Sequence, residues 1–357
     1  MRYTHLLAEA PVGRALQHLE DLVFVDGSAG AHKALDVLVR LGTDVSDVSV
    51  KWDGTPAVIF GRDQTGAFIL TDLAGFKAKG YDGKVKSARD FEAMLLNRGK
   101  EVDNGRRIFA ASMAEIWSAF EAATPPNMRG FIHGDLLYTD TPALKSGHYV
   151  FTPNKVTYKV TQQSDIGQRI GRSTSGVVIH TFTSLDGDKS KASLDMVKSG
   201  ELFVMPPVIM QQSPQTDVTS IDKLRSQITQ NAQLIDNLVA PQPGLSDIRN
   251  IIYTYVNQMS RAKRWDELKT GFSDWLTNSK VSKNKQAKIL NSPEFEQYNV
   301  LFDLVLKIQA MKNTTIDQFD NSEMDVESSI GDARGGEGYV AAQDKVKLVP
   351  RHKWTLG

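Results

Sequence analysis

The hydrophobic pattern of this chain changes twice, and these changes constrain the fold more than any other feature. Short, strand-like apolar runs occupy residues 48–72 and about 130–184, whereas residues 217–312 have the 3.6-residue period of helices. A strand-like pattern returns after residue 336, close to the end of the chain. We therefore expect a helical block that is inserted between two parts of one sheet-rich domain.

This pattern predicts an α+β fold with mixed or antiparallel sheets and an all-helical insertion. The sheet-rich domain is expected to comprise residues 1–200 together with 330–357, and the insertion residues 217–312. Residues 313–336 are acidic, end in glycines and have little periodicity, so they are predicted to form a flexible linker. Before the first strands, two apolar stripes predict helix over residues 12–42, interrupted at Gly27 and Gly30.

Composition excludes several classes of site. The 357 residues contain no cysteine, which rules out disulfides, thiolate nucleophiles and cysteine-based zinc sites. The formal net charge is zero, so any contact with nucleic acid must use local basic patches. The N-terminus shows no secretory signal pattern, and no apolar run is long enough to span a bilayer. We expect a cytoplasmic protein without a membrane partner.

The stretch VKWDGTPAVIF places Lys51, Asp53 and Gly54 between two apolar runs. One interpretation is a β-hairpin whose turn is Asp-Gly and whose lysine is solvated. The alternative is that Lys51 points into a pocket and attacks a phosphate.

A second motif, HGDLLY, places Asp135 inside an apolar strand pattern. A carboxylate at such a position is costly unless it is paired or binds a metal, although an acid at the end of an edge strand would explain it equally well. His18 and His180 are predicted to be structural.

The third motif is EGYV followed by KVK near the C-terminus. Glu337 would begin one strand, and Lys345 and Lys347, two positions apart, would share one face of the next. An anion bound by both ammonium groups would relieve their repulsion. Alternatively, both lysines are solvated on an edge strand. On the first predicted helix, Glu20 and Asp21 are expected to be solvated or to act as caps.

In this order, K-x-D-G, G-D-L-L-Y, E-G-Y-V and K-V-K resemble nucleotidyltransferase motifs I, III, IV and V. These motifs belong to the covalent superfamily of ATP-dependent DNA ligases, RNA ligases and mRNA capping enzymes. The resemblance covers roughly residues 48–184 and 335–350, and it is closest to the RNA-ligase-like enzymes, including those of tailed phages. It implies the nucleotidyltransferase fold, an ATP-grasp-like ligase catalytic domain.

The resemblance also implies roles for single residues. Lys51 would be the nucleophile that takes AMP from ATP, with Asp53 and Gly54 shaping its turn and the cofactor site. Its amine must be deprotonated, which burial or neighbouring cations favour. The remaining motif residues would bind nucleotide and metal, Mg²⁺ or Mn²⁺: Asp135 near the ribose and metal, Glu337 at the metal, and Lys345 and Lys347 at the α-phosphate.

Further residues would contact adenine or polynucleotide. Phe151 or Tyr158 could stack on adenine, a choice that the sequence leaves open. Lys77 and Lys79 lie in a segment similar to motif Ia, which contacts polynucleotide. Residues 260–290 are rich in basic side chains with aromatic residues between them, which predicts phosphate contacts. The candidates there are Lys263, Arg264, Lys283 and Lys285. The alternative is a solvated helix face whose aromatic side chains form a local core.

Two departures from the family pattern bear on the substrate. Pro56 stands where many DNA ligases have an arginine, for which Arg62 could compensate, and only a few residues follow motif V, too few for an OB domain. We therefore expect a monomeric RNA ligase acting on 5′-phosphate and 3′-hydroxyl ends. The alternatives are a DNA ligase that uses the insertion instead of an OB domain, a guanylyltransferase, and a non-catalytic nucleic-acid-binding protein.

Overall fold

A computed structural model describes residues 16–77, 85–97, 102–198 and 200–351. It combines α-helices with antiparallel and mixed β-sheets, in agreement with the predicted α+β class. Over these ranges no helix is both long enough and apolar enough to cross a membrane.

The strands of the described ranges are short. They are β1 (Gln17–His18), β2 (Val48–Val50), β3 (Ala57–Arg62), β4 (Phe68–Asp72), β5 (Gly130–Tyr138), β6 (Ala143–Lys145), β7 (His148–Phe151), β8 (Thr157–Thr161), β9 (Ser175–Thr183), β10 (Lys189–Lys191), β11 (Leu202–Val204), β12 (Val326–Ile330), β13 (Ala333–Arg334), β14 (Tyr339–Ala341) and β15 (Val346–Leu348).

The helices of the same ranges are α1 (Leu22–Leu41), α2 (Leu73–Lys77), α3 (Ala88–Leu96), α4 (Asn104–Glu115), α5 (Trp117–Ala123), α6 (Asp165–Ile170), α7 (Val218–Gln230), α8 (Ala232–Val239), α9 (Ile248–Arg261), α10 (Phe272–Asn278), α11 (Lys283–Leu290) and α12 (Tyr298–Asp320). A 3₁₀ turn, Leu19–Asp21, precedes α1.

The chain divides into two compact units. Unit 1 contains the described residues up to Lys51, Ile209–Ser322 and the residues from Glu337 on, and unit 2 contains Trp52–Val208 and Glu323–Gly336. This division differs from the predicted one, because the helical block is not a separate insertion. Helix α1 packs against α7, α8, α9 and α12, so the block and the N-terminal helix share one core.

Unit 1 is built on a four-stranded sheet in the order β1-β15-β14-β2, in which only β1 and β15 run parallel. One face of the sheet is buried, and the Phe319 ring of α12 packs there against Tyr339 with ring centroids 4.9 Å apart. Helix α1 is kinked at Gly27, whose φ is +58°, as the glycine pattern predicted. The Asp236 carboxylate accepts hydrogen bonds from the backbone and the hydroxyl of Ser28 after this kink.

The segment predicted as a flexible linker, residues 313–336, is regular structure instead. Helix α12 continues to Asp320 because Ile316 and Phe319 are buried, and β12 then pairs with β8. The acidic composition was misleading here. Glu327 of β12 faces solvent and Val326 is buried, while the backbone is paired with a neighbouring strand, which composition does not reveal.

Unit 2 contains two further sheets. A six-stranded sheet has the order β10-β9-β5-β3-β4, with β11 parallel to β9, and a five-stranded antiparallel sheet has the order β13-β12-β8-β7-β6. The main core lies between one face of the six-stranded sheet and helices α3, α4 and α5. Phe60 and Phe120 meet edge to face in this core, with centroids 5.0 Å apart.

The predicted hairpin around Lys51 is wrong. Strand β2 pairs with β14 in unit 1, whereas β3 pairs with β4 and β5 in unit 2. The two apolar runs are strands, as predicted, but each is paired within a different sheet. A short polar segment between two strands is also compatible with a change of sheet, and local sequence does not distinguish the two.

Candidate functional site

Lys51 and Glu337 form an ion pair in unit 1, although they lie near opposite ends of the chain. Tyr339 of β14 pairs with Val50 of β2, and the backbone N–H of Lys51 donates a 2.8 Å hydrogen bond to the carbonyl of Gly338. Both charged side chains are partly exposed, 30% for Lys51 and 17% for Glu337. Sheet pairing therefore brings the K-x-D-G lysine into contact with the E-G-Y-V acid.

Gly338 allows this contact because a side chain at its position would be strained. Its φ is +108°, a conformation that side-chain-bearing residues rarely adopt. A Cβ at this position would also lie 2.1 Å from the carbonyl oxygen of Leu348 on the neighbouring strand β15. The left-handed glycine interrupts the strand alternation just before β14, which is where Glu337 turns toward Lys51.

Lys347 lies on the same face of this sheet as Lys51. It pairs with Val340 of β14, which in turn pairs with Ser49 of β2, and residues opposite each other in a sheet project to one side. This face is half-buried, while the intervening residues of the three strands are buried on the other face. Lys347 was predicted as a phosphate-binding residue, and its location is compatible with that role.

Lys345, in contrast, does not continue this strand face. It lies in the turn between β14 and β15, has a left-handed φ of +57°, and is exposed. The prediction that Lys345 and Lys347 share a strand face is wrong, because the strand begins only at Val346 and alternation does not extend into the turn.

His18 pairs with Lys347 in register, on the edge strand β1. Its side chain is buried, and its pKa is well below the ordinary 6.5 because of burial first and then because of four nearby cations. These cations are Arg351, Lys347, Lys312 and Lys51. His18 is therefore a neutral group at neutral pH, on the sheet row that carries Lys347.

A buried ionic network lies beside His18 in unit 1. The ammonium of Lys312 donates 2.8 Å hydrogen bonds to both carboxylate oxygens of Glu20, and Arg351 pairs with Asp21 and lies 3.4 Å from Glu20. All four side chains are buried. The prediction that Glu20 and Asp21 are solvated or act as caps is therefore wrong, and the partners that permit their burial come from distant parts of the chain.

Burial would raise the pKa of Glu20, but the adjacent Lys312 and Arg351 outweigh it and hold the pKa below its usual value. Burial also lowers the pKa of Lys312, and Glu20 opposes that shift. The pair is ionised at neutral pH. It connects the 3₁₀ turn next to β1 with helix α12, and so fixes the edge of the sheet that carries the Lys51 face.

Asp53, which follows Lys51 in the motif, belongs to unit 2 and is held there by hydrogen bonds within that unit. Its carboxylate accepts hydrogen bonds from the Asn154 side chain (2.9 Å) and the Lys155 backbone N–H (3.0 Å). Its own N–H donates to the hydroxyl of Tyr158. Gly54 is required by close packing, since a Cβ there would lie 2.7 Å from the Cβ of Asp135.

The two candidate adenine-stacking rings belong to an aromatic cluster. Tyr158 is completely buried, and Phe151 is only 7% exposed. The Trp52 ring lies 4.6 Å from Tyr158 and 6.3 Å from Phe151, and Tyr138 lies 5.4 Å from Phe151. This packing makes Tyr158 unsuitable for stacking on adenine and leaves Phe151 with one narrow exposed edge.

Asp135 lies in the middle of β5, at 34% side-chain exposure, with two histidines nearby. His180 on β9 approaches to 4.0 Å, and the His133 and His180 rings are 6.4 Å apart. Burial, followed by the charges of His180, Lys189 and Lys77, lowers the pKa of His133 to about 4. Sequence reasoning assigned no role to His133, although its spacing of two from Asp135 already placed both side chains on one strand face.

The predicted metal ligands Glu337 and Asp135 belong to different units, and each is described with its own neighbours. In the described ranges no three His, Cys, Asp or Glu side chains cluster closely enough to hold a metal ion by themselves. Mg²⁺ commonly uses only one or two carboxylates, together with nucleotide phosphates and water. Each carboxylate is therefore an oxygen donor of the kind that this ion prefers.

The predicted nucleic-acid contacts of the helical block are mostly engaged within unit 1. Arg264 pairs with Glu267, Lys285 binds both oxygens of Asp247, and Lys283 donates to Gln286 and a backbone carbonyl. Lys263 is exposed, in a left-handed conformation.

Some aromatic side chains of this block form a local core, as the alternative interpretation of residues 260–290 predicts. Phe272 is buried against Tyr255 and Phe302. Trp275 is partly exposed and lines a groove of about 870 Å³ together with Arg264 and Lys285.

Only one of the two motif Ia candidates lies within the described residues. Lys77 is the exposed last residue of α2, and Lys79 lies outside the described residues. Arg62, considered as a replacement for the missing arginine, instead donates hydrogen bonds to the carbonyls of Thr124, Pro125 and Gly66. It therefore has a structural role in unit 2.

Comparison with known proteins identifies one family. A family model described as a family of unknown function (DUF6267) matches residues 14–355. No curated protein and no solved structure matches the chain.

Proposed function

The chain belongs to the DUF6267 family, and we propose that it is an ATP-dependent nucleotidyltransferase that forms a covalent lysyl-AMP at Lys51. The observation that carries the proposal is the ion pair of Lys51 with Glu337, with Lys347 on the same sheet face. These three residues match the motifs K-x-D-G, E-G-Y-V and K-V-K. Segments that are distant in sequence thus supply a nucleophile, an oxygen ligand and a cation to one small area of unit 1.

In the first step, the ammonium of Lys51 releases a proton to solvent, and the resulting neutral amine attacks the α-phosphorus of ATP. The N–P bond forms, the bond from the α-phosphorus to the bridging oxygen breaks, and pyrophosphate leaves with the electron pair. The attacking nitrogen loses one proton to solvent. The ammonium of Lys347 would stabilise negative charge on the α-phosphate, a task that preorganised cations perform well in a partly desolvated site.

A divalent cation, Mg²⁺ or Mn²⁺, would neutralise phosphate charge when bound with ATP. Glu337 is the residue of unit 1 that would hold it. In the nucleotide-free protein, Glu337 is engaged with the ammonium of Lys51. This contact keeps the nucleophile oriented on its sheet face until nucleotide binds.

In the second step, the AMP would pass from Lys51 to a 5′-phosphate end of a polynucleotide. A 3′-hydroxyl would then attack this activated phosphate, with AMP as the leaving group, and seal the strand. The resemblance to RNA-ligase-like motifs favours RNA over DNA as the substrate.

The test of the first step is intact-mass measurement after incubation with ATP and Mg²⁺. The wild-type protein should gain the mass of one AMP, in an acid-labile phosphoramidate linkage, and Lys51→Ala should gain none. Lys307→Ala is a matched control, because it removes another lysine of unit 1 from an ion pair, with Asp303, on helix α12. This control should be adenylylated like the wild type.

Two results would overturn the proposal. One is an adduct that persists in folded Lys51→Ala. The other is the absence of any adduct with ATP, GTP or NAD on protein shown to be free of prior adenylylation. An adduct with GTP alone would indicate a guanylyltransferase. Incubation of adenylylated protein with 5′-phosphorylated RNA or with nicked DNA then distinguishes an RNA ligase from a DNA ligase.

A further inference from the structure

The six-stranded sheet of unit 2 has two faces of different character. On one face, Ile132 and Leu136 of β5 pack into the main core. The other face of β5 carries His133 and Asp135, because side chains alternate along a strand. Helix α2 covers part of this second face, where Phe76 contacts Phe131 with ring centroids 5.3 Å apart.

The strand register places two exposed lysines on this second face. Lys191 of β10 pairs with Thr181 of β9, and Thr181 pairs with His133 of β5. Lys189 pairs with Thr183 in the same way, and both lysines are exposed. Paired residues project to the same side of a sheet, so both lysines lie on the face of His133.

A β-bulge adds His180 to this face. Ile179 pairs with Gly134 and Thr181 with His133, which leaves His180 as the extra residue of β9. Bulges redirect side chains in this manner. The His180 side chain is 51% exposed and lies 4.0 Å from Asp135.

Lys77 at the end of α2 lies near the same group. The ring of the preceding Phe76 is 5.3 Å from the His133 ring, and the charges of Lys77, Lys189 and His180 all act on His133. We call the set Lys77, His133, His180, Lys189 and Lys191 the basic face.

The basic face carries three lysine charges, and the side chains of Asp135, Thr181 and Thr183 lie on the same face of the sheet. Along β10, Lys189 and Lys191 are separated by about 7 Å, and successive rows of the sheet by about 5 Å. This is an extended cationic surface rather than a pocket for one small anion.

Some lysines of the helical block are already engaged with acids. Its lysines Lys269 and Lys285 already contact carboxylates, at 3.0 Å from Asp303 and 2.7 Å from Asp247. A phosphate would have to compete with these acids. Over the described residues, in contrast, the three lysines of the basic face form no such ion pair.

We infer that the basic face of unit 2 binds the phosphodiester backbone of a polynucleotide. Charge complementarity and the extended spacing of its lysines identify this occupant. The inference rests on the proposed function, since it names the surface that would hold the nucleic-acid substrate of that enzyme. It also replaces the helical block by β10 and α2 as the main source of phosphate contacts.

The test is fluorescence anisotropy of the full-length protein with a short 5′-phosphorylated RNA and with a nicked DNA duplex, at several salt concentrations. Lys189→Ala/Lys191→Ala should weaken binding severalfold and reduce the slope of log affinity against log salt by about 1 for each lysine. The matched control is Lys269→Ala/Lys307→Ala, which also removes two lysines, both paired with Asp303, and should leave affinity near the wild-type value. Circular dichroism verifies that both variants are folded.

Unchanged affinity and salt slope in folded Lys189→Ala/Lys191→Ala would overturn the inference, as would a loss confined to the helical-block variant. Absence of wild-type binding to both probes would overturn it as well. The RNA and DNA arms distinguish the two sources of phosphodiester.

Adenylylation of the wild type is measured separately, so lysine-dependent binding without an AMP adduct would refute the proposed function but support the basic face. An AMP adduct on a protein whose nucleic-acid binding does not depend on Lys189 and Lys191 would support the proposed function and refute the basic face.

Discussion

The side chains of Lys51 and Glu337 form an ion pair because β2 and β14 are antiparallel neighbours in one sheet. Lys51 directly follows β2 and Glu337 lies just before β14, with the helical block and all of unit 2 between them in sequence. This contact unites two of the sequence motifs, and the first prediction concerns its acidic partner.

Glu337→Gln should slow formation of lysyl-AMP by on the order of 100-fold, the usual scale for removing one preorganised electrostatic group. The amide keeps the size of the side chain but loses the charge that pairs with Lys51 and can hold a metal. The measurement is the single-turnover rate of AMP transfer from labelled ATP. Glu327→Gln, at an exposed position of β12, is the control and should react at the wild-type rate. Equal rates in the two variants would contradict the role of Glu337.

Gly338→Ala should destabilise the protein by about 1–3 kcal/mol or more, the range for a strained backbone position. The new Cβ would meet the carbonyl oxygen of Leu348, in addition to the cost of φ = +108°. Chemical denaturation followed by circular dichroism measures the change. Gly187→Ala separates the two causes, because Gly187 has φ = +91° but no atoms within 4 Å of the added Cβ. If Gly187→Ala is equally destabilising, the clash with Leu348 is unimportant.

Lys312→Met should lower the free energy of unfolding by about 3–5 kcal/mol, because it leaves the buried Glu20 carboxylate without its closest cation. The control Lys269→Met removes a lysine from a partly exposed pair with Asp303, and should cost at most about 1 kcal/mol. Denaturant titrations of both variants and the wild type measure these changes. The double variant Glu20→Gln/Lys312→Met should recover part of the loss. Equal effects of the two lysine changes would show that burial of the Glu20 pair is energetically unimportant.

The buried His18 should make stability depend on pH in the acid range. Burial and the neighbouring cations place its folded-state pKa well below 6.5, so the unfolded chain binds the proton more tightly. The free energy of unfolding should therefore fall as the pH drops below about 6.5. Above that pH, the contribution of His18 to stability should be fully present. His18→Gln should reduce this slope. The variant's stability at about pH 8 reports packing alone, because an unfolded histidine is neutral there. An unchanged slope in the variant would show that His18 is not the group responsible.

Asp53→Asn should destabilise unit 2 by about 1–3 kcal/mol, because one amide cannot accept both of the hydrogen bonds that the carboxylate accepts. The amide N–H₂ would face either the Asn154 side chain or the backbone N–H of Lys155. Denaturant titration measures the loss, and limited proteolysis reports any opening of the loop at residues 152–155. Asp140→Asn, at an exposed position, is the control and should be neutral. A neutral Asp53→Asn would argue against this anchoring role.

Local sequence determined much of the secondary structure of this protein. The apolar alternation of Gly130–Tyr138 and of Ser175–Thr183 correctly predicted strands, and the helical periods between residues 217 and 312 correctly predicted helices. Such patterns are readable because burial of one face acts on near neighbours in the chain.

Only the tertiary structure decided which elements are partners. The strand before Asp53 pairs with β14 rather than with β3, the acidic segment after residue 320 adds a strand to β8, and Glu20 is buried because Lys312 and Arg351 reach it. Each outcome depends on contacts between residues far apart in sequence, and their free energies do not appear in any local pattern. The same reason explains why the sequence identified Lys51 and Glu337 as separate candidates while only the sheet register brought them into contact.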